Sequence, residues 1–138
     1  MGVELDSLLG DQESGASFHD ALLLNLSIDY ADKSLLANFS ICVGDPESSD
    51  ARVRERRRNG RLLVRGLLHW SLEPSAEGTP LRGPLWLTSD GLLAGAPTDA
   101  GLAVAAVLPR DCLGWYLYFS DINAFAYCAG KDAEFVWL

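Results

Sequence analysis

Residues 21–43 read ALLLNLSIDYADKSLLANFSICV, and this stretch decides the fold. Leu22, Leu24, Leu26, Ile28 and Tyr30 alternate with Ala21, Leu23, Asn25, Ser27 and Asp29. After Ala31-Asp32-Lys33-Ser34, the residues Leu35, Ala37, Phe39, Ile41 and Val43 alternate with Leu36, Asn38, Ser40 and Cys42. A period of two is that of a strand with one buried face, so the stretch predicts a β-hairpin. Setting Tyr30 opposite Leu35 pairs 28 with 37, 26 with 39, 24 with 41 and 22 with 43, all apolar and all on one face. The same register faces Asn25 with Ser40 and Ser27 with Asn38 on the outer side, where amide and hydroxyl can hydrogen-bond.

Outward from the hairpin the signals weaken. Residues 1–17 are polar apart from Val3, Leu5, Leu8 and Leu9, which suggest a helical turn or two before Gly10. Residues 44–60 run from Gly, Asp, Pro and Ser into arginine and predict an exposed loop. Within it, an edge strand turning at Asn59-Gly60 is preferred to a short helix starting after Asp50. Leu62, Val64, Leu68, Trp70 and Leu72 define a third strand, in which Gly66 marks a bulge or a close approach. Residues 73–84 are a second exposed loop by composition, and 85–88 a short strand stopped by Ser89-Asp90-Gly91. Residues 98–108 are open between helix and strand, with Thr98 or Asp99 available as a cap. Residues 115–119 are β-prone, and 122–129 with 133–138 read as a final hairpin around Gly130-Lys131-Asp132. That hairpin sets Tyr127 against Phe135 and Phe125 against Trp137.

The expected fold is therefore one domain, residues 1–138, all-β or β-dominated α+β. A mostly antiparallel twisted sheet of six to eight strands forms a sandwich or half-barrel, with at most one or two short helices. Leu24, Leu26, Ile28, Phe39, Ile41, Val64, Leu68, Trp70, Leu117 and Phe119 should be largely buried.

Composition bounds the function. With 138 residues, 49% hydrophobic and 22% charged, the chain is long enough for its own core. No apolar run reaches the ~18 residues of a membrane span, and an acidic start replaces the basic start of a secretion signal, so the expectation is cytoplasmic. Asn25-Leu26-Ser27 and Asn38-Phe39-Ser40 match the glycosylation sequon but fit the hairpin's outer face better. Cys42, Cys112 and Cys128 match no zinc or redox spacing and are expected to be reduced and packed. Net charge is −8 and uneven: residues 1–50 hold ten acids and one lysine, 51–65 seven arginines and one acid, 66–138 eight acids and three bases. Such a balance opposes nucleic-acid binding and suits a basic protein partner. The arginine run lacks interleaved aromatics and is expected to neutralise the protein's own acids.

The nucleophile, dinucleotide, phosphate-loop and metalloprotease motifs are missing, and only two histidines are present. No catalytic, cofactor or metal residues are assigned. Ser17, His19 and Asp20 form the densest polar group. Neighbours on a strand point to opposite faces, so Asp20 can orient His19 only if the backbone turns there. Asp121 and Asn123 sit at the break between two aromatic strands and read as turn chemistry, although with His19 they make a conceivable metal set. The alternative site is thus His19, Asp20, Asp121 and Asn123, serving a small hydrolase or isomerase with a cleft lined by Trp70, Trp86 and Trp115. An intracellular adaptor or structural domain is a further alternative.

Phe18-His19-Asp20-Ala21 at the head of the hairpin, the glycine-and-arginine third strand, and Asp121-Ile122-Asn123-Ala124-Phe125 through Asp132-Ala133-Glu134-Phe135-Val136-Trp137 resemble small bacterial β-rich domains that open on the same Phe-His-Asp-Ala signature. Some of these are similar to toxin-immunity proteins. The resemblance implies a non-enzymatic protein that binds another protein and supplies no catalytic residues. The expected function is a protein-binding module, an immunity-like inhibitor of a basic toxin or enzyme. Its candidate contact residues are Asp29, Asp32, Asp45, Glu47 and Asp50. No cofactor is expected, and the sequence does not fix the oligomeric state.

Overall fold

A computed structural model describes residues 2–75, 78, 80–81 and 83–138. Residues 76, 77, 79 and 82 of the expected second loop lie outside the described set. Six strands among the described residues, β1 (Ala21–Asp29), β2 (Ser34–Cys42), β3 (Arg57–Leu72), β4 (Leu85–Leu92), β5 (Leu113–Phe119) and β6 (Ala124–Trp137), close into an antiparallel barrel. Around it the order is β1-β2-β3-β6-β5-β4, so two three-stranded meanders join edge to edge. The fold is all-β as expected, but it is a closed barrel rather than a sandwich or half-barrel. Closure comes from three residue pairs between β1 and β4: Ala21 with Leu87, Leu22 with Trp86 and Leu23 with Leu85.

The hairpin forms, with a register two residues from the expected one. Ile28 faces Leu35 and Asp29 faces Ser34. The Asp29 carboxylate accepts the Asp32 N–H at 3.0 Å, and Lys33 takes a left-handed φ of 54°, so the turn closes over residues 30–33. A shift of two preserves the faces, and Phe39 and Ile41 are fully buried as the alternation requires. Between Leu23 and Asn25 a bulge inserts Leu24, which stands 38% exposed while Leu23 and Ala21 turn inward. The expected Asn25–Ser40 and Ser27–Asn38 pairs are replaced by one bond, Asn38 Nδ2–H to Asn25 Oδ1 at 2.6 Å.

The same device acts in β3. Gly66, at φ 59°, lies against the Lys131 side chain, and a bulge between Leu67 and His69 pushes Leu68 outward to 38% exposure. Leu68, like Leu24, is therefore not a core residue, whereas Leu67 and Trp70 pack against the core.

Three expected breaks are instead continuous strand. Asn59-Gly60 makes no turn: β3 runs through it, and a Cβ at Gly60 would meet the Phe135 ring at 2.0 Å. The expected final hairpin is a single 14-residue strand, β6. Gly130 is its buried midpoint, where a Cβ would lie 2.4 Å from Val64 Cγ1; the glycine makes room rather than a turn. Ser89-Asp90-Gly91 likewise continues β4, with Gly91 beneath the Tyr116 ring. The loop expected over 44–60 is thus strand from Arg57 onward, preceded by a short helix, α1 (Ala51–Arg54), whose first turn is capped by Asp50 accepting from Arg52 N–H. Residues 98–108 resolve as helix: α2 (Asp99–Val107), with the Thr98 hydroxyl accepting from Gly101 N–H.

Phe18, Phe39, Ile41, Trp115 and Phe119 fill the interior. A 3-10 helix, Leu5–Leu9, inserts Leu5 and Leu9 and leaves a void of ≈ 10 Å³ lined entirely by apolar side chains. Two indoles hold this plug, Trp115 Nε1–H to the Val3 carbonyl at 2.6 Å and Trp137 Nε1–H to the Leu9 carbonyl at 3.0 Å. Trp137 also packs edge-on against Phe135 and lies beneath the Arg58 guanidinium, and Leu138 N–H bonds the Asn59 carbonyl. Deleting Trp137 and Leu138 should therefore cost about 3 kcal/mol. The urea midpoint of the shortened chain measures it, and an unchanged midpoint would refute the tie between chain end and plug.

Candidate functional site

Ser17 to Asp20 enters β1 through a fixed bend. Phe18 is fully buried, its ring edge-on to Phe39 at 5.2 Å and to Phe135 at 5.6 Å. The Asp6 carboxylate accepts from Phe18 N–H and from the Ser17 hydroxyl, both at 2.8 Å. Asp20 adopts φ 67° and donates its N–H to the Leu87 carbonyl at 2.8 Å. The backbone thus turns at Asp20, the condition under which His19 and Asp20 can meet, and His19 Nε2 lies 3.5 Å from Asp20 Oδ2.

The other His19 nitrogen is committed. Nδ1 donates to the Thr88 carbonyl at 2.5 Å, since a carbonyl can only accept; the side chain is 62% exposed. Asp121 does not approach the imidazole. Its Oδ1 accepts from Trp86 N–H at 3.2 Å. Asn123, at φ 47°, accepts from the Tyr118 hydroxyl at 2.6 Å. His19, Asp121 and Asn123 therefore bond in three separate directions, and the conceivable metal set does not assemble among the described residues. The expected tryptophan cleft does not form either: Trp115 is buried, Trp70 packs against the core from one side, and Trp86 stands on the outer surface.

Trp86 is the residue that sequence reasoning undervalued. It is 46% exposed, its indole N–H donates to Asp20 Oδ1 at 2.9 Å and its backbone N–H to Asp121. Thr88 and Ser120 join hydroxyls beside it, and Arg57 Nη2 donates to the Asp20 carbonyl at 2.9 Å. The face therefore combines the head of β1, the start of β4 and the turn between β5 and β6.

The five acids expected to form a contact surface separate. Asp29 and Asp32 sit at the turn before β2, whereas Asp45, Glu47 and Asp50 follow its end, about 26 Å away along nine residues of strand. Asp45 is occupied by the Glu47 N–H and Asp50 by the Arg52 N–H, at 2.9 Å each. Strand parity sorts the arginines. Arg57, Arg61 and Arg65 alternate on the outside of β3, bonding Ser40, Asn38, and Asp132 with Glu134. Arg56 and Arg58 turn the other way and share Glu13.

One further carboxylate is displaced from ordinary behaviour. Asp90 on β4 is pushed up to about 6, first by burial and then by the negative charge of Asp6 and Glu4, with His19 opposing. Cys128 is pushed up to about 12 by burial, which makes it an inert thiol, and all three cysteines are free.

No family model matches the chain, and no curated protein or solved structure gives a significant match.

The Asp90 shift gives a stability profile of definite sign. Because its folded pKa lies above the unfolded one, the native state binds the extra proton, so Asp90's contribution is full below pH 4 and is lost as pH rises through about 6. Asp90→Asn should lack this slope and exceed the wild type by about 1–2 kcal/mol at pH 7 after allowance for solvent screening. Thermal unfolding of both proteins from pH 4 to 8 checks it; parallel profiles would show that Asp90 does not carry the charge conflict.

Proposed function

We propose that the chain is a non-enzymatic protein-binding module, an immunity-like inhibitor whose acidic surface docks a basic protein such as a toxin or an enzyme. The observation that carries this reading is the use made of the arginines. The sequence holds 19 acids against 11 basic residues, and in the arginine cluster Arg56 and Arg58 share Glu13, Arg65 meets Asp132 and Glu134, and Arg57 and Arg61 are held by the neutral Ser40 and Asn38. Glu4, Asp6, Asp29, Asp32, Asp90 and Asp121 make no ion pair with a described residue. A net excess of acid attracts a basic protein at long range and repels nucleic acid. The Phe-His-Asp-Ala resemblance points the same way. His19 and Asp121 also favour it over a hydrolase, because each spends a polar atom fixing backbone.

The contact is placed at the Asp20–Trp86–Asp121 face, where carboxylates surround an exposed aromatic residue of the type that dominates interface energetics. Co-expression with the products of neighbouring genes, followed by affinity capture at low and high salt, tests the proposal. Binding that weakens at high salt and falls at least tenfold when Asp20 and Asp121 become Asn supports it. Neutralising Asp29 and Asp32, at the far end of β2, should slow association only two- to threefold, as expected of long-range steering. Capture indifferent to salt and to Asp20 and Asp121 would overturn it.

A further inference from the structure

The surface where β1 meets β4 holds an exposed indole with both of its residue's N–H groups spent on carboxylates. Trp86 Nε1–H reaches Asp20 Oδ1 at 2.9 Å, and Trp86 backbone N–H reaches Asp121 Oδ1 at 3.2 Å. The first bond restricts rotation of the ring, which remains 46% exposed. Each carboxylate is oriented through one oxygen, leaving Asp20 Oδ2 and Asp121 Oδ2 without a closer described partner than His19, 3.5 Å from the former. Leu22 is the strand partner of Trp86, and Leu24, pushed out by the bulge, adds an apolar surface on the same strand.

We propose that this face receives an arginine side chain of the basic partner, its guanidinium stacked on the Trp86 indole and hydrogen-bonded to the second oxygens of Asp20 and Asp121. The inference rests on the protein-binding reading and narrows it from a basic surface to one side chain. Charge alone does not separate arginine from lysine; the arrangement does. The ring face attracts a cation, and the planar, weakly hydrated guanidinium stacks on it while its in-plane donors remain free for carboxylates at the ring's edge. Leu22 and Leu24 supply apolar contact for the aliphatic stem. An ammonium group offers a point charge and no plane, so it engages the carboxylates or the ring but gains less from both together.

Two synthetic peptides of equal length and charge, one with arginines and one with lysines at the same positions, test the inference on the full chain. Titrations are followed by the indole N–H resonances, with Trp86 assigned from its loss in Trp86→Phe. The arginine peptide should shift the Trp86 resonance and bind roughly fivefold tighter than the lysine peptide. Trp86→Leu should abolish that preference while leaving salt-sensitive binding of both peptides. If Trp86→Leu does not fold, as judged by circular dichroism, Trp86→Phe takes its place: it keeps a weaker ring, loses the bond that orients Asp20, and should narrow the preference. Equal binding of the two peptides, or an arginine preference that survives both substitutions, would overturn the inference while leaving a generally basic partner standing. Absence of binding by the arginine peptide would overturn it too, whereas the broader reading fails only if capture of the intact partner ignores salt and Asp20 with Asp121.

Discussion

Everything in this molecule depends on the seam where β1 meets β4. Four of the strand neighbours around the barrel follow one another in sequence, and β3 joins β6 over a long register; only β1 and β4 must find each other through three residue pairs. The bend at Asp20 makes the contact possible. Phe18 is drawn into the core, Asp6 fixes the backbone before it, and Asp20 N–H extends the ladder to the Leu87 carbonyl. Without that bend β1 would be an edge strand with unpaired backbone groups, and the sheet would remain open. The segment Phe18-His19-Asp20-Ala21 is thus first a closure device, and the polar face around Trp86 lies on top of it.

Strand content was legible because alternation reports which face is buried. Phe39, Ile41, Val64, Leu117 and Phe119 obey it and are buried. Leu24 and Leu68 fail for one shared reason: each is the extra residue of a bulge, and alternation changes phase across a bulge. Gly66 hinted at the second, whereas nothing in the composition around Leu24 hinted at the first. The three misplaced strand breaks concern glycine. Gly60, Gly91 and Gly130 are small so that Phe135, Tyr116 and Val64 can occupy the space above them, and from sequence such a glycine looks the same as a turn. Distinguishing the two requires knowing the neighbouring strand.

The polar face was only half visible. His19, Asp20 and Asp121 stood out by type, but His19 and Asp121 are partnered by backbone groups of Thr88 and Trp86, which carry no sequence signal, and Asp20 by the indole of Trp86, 66 positions away. Trp86 read as a residue of a short strand and as one wall of a conceivable cleft, and Asp90 as part of a turn. Its raised pKa comes from burial beside Asp6 and Glu4, residues more than eighty positions away. The arginine run was legible in outline: seven cations in fifteen residues were expected to serve the protein's own acids. Arg56, Arg58 and Arg65 do so, through Glu13, Asp132 and Glu134, whereas Arg57 and Arg61 bond the neutral Ser40 and Asn38; that sorting follows from the parity of β3, a strand expected to begin only after Gly60.

A seam of three pairs is also where such a barrel opens first. Local opening follows the least reinforced backbone pairing, and this seam carries fewer residue pairs than any other in the barrel. Asp20 and Trp86 stand on opposite banks of that seam. Any molecule that grips both at once bridges the banks and must work against their separation, so binding energy at this face is at the same time resistance to opening. A clasp across this face would thus also be a lock on the barrel.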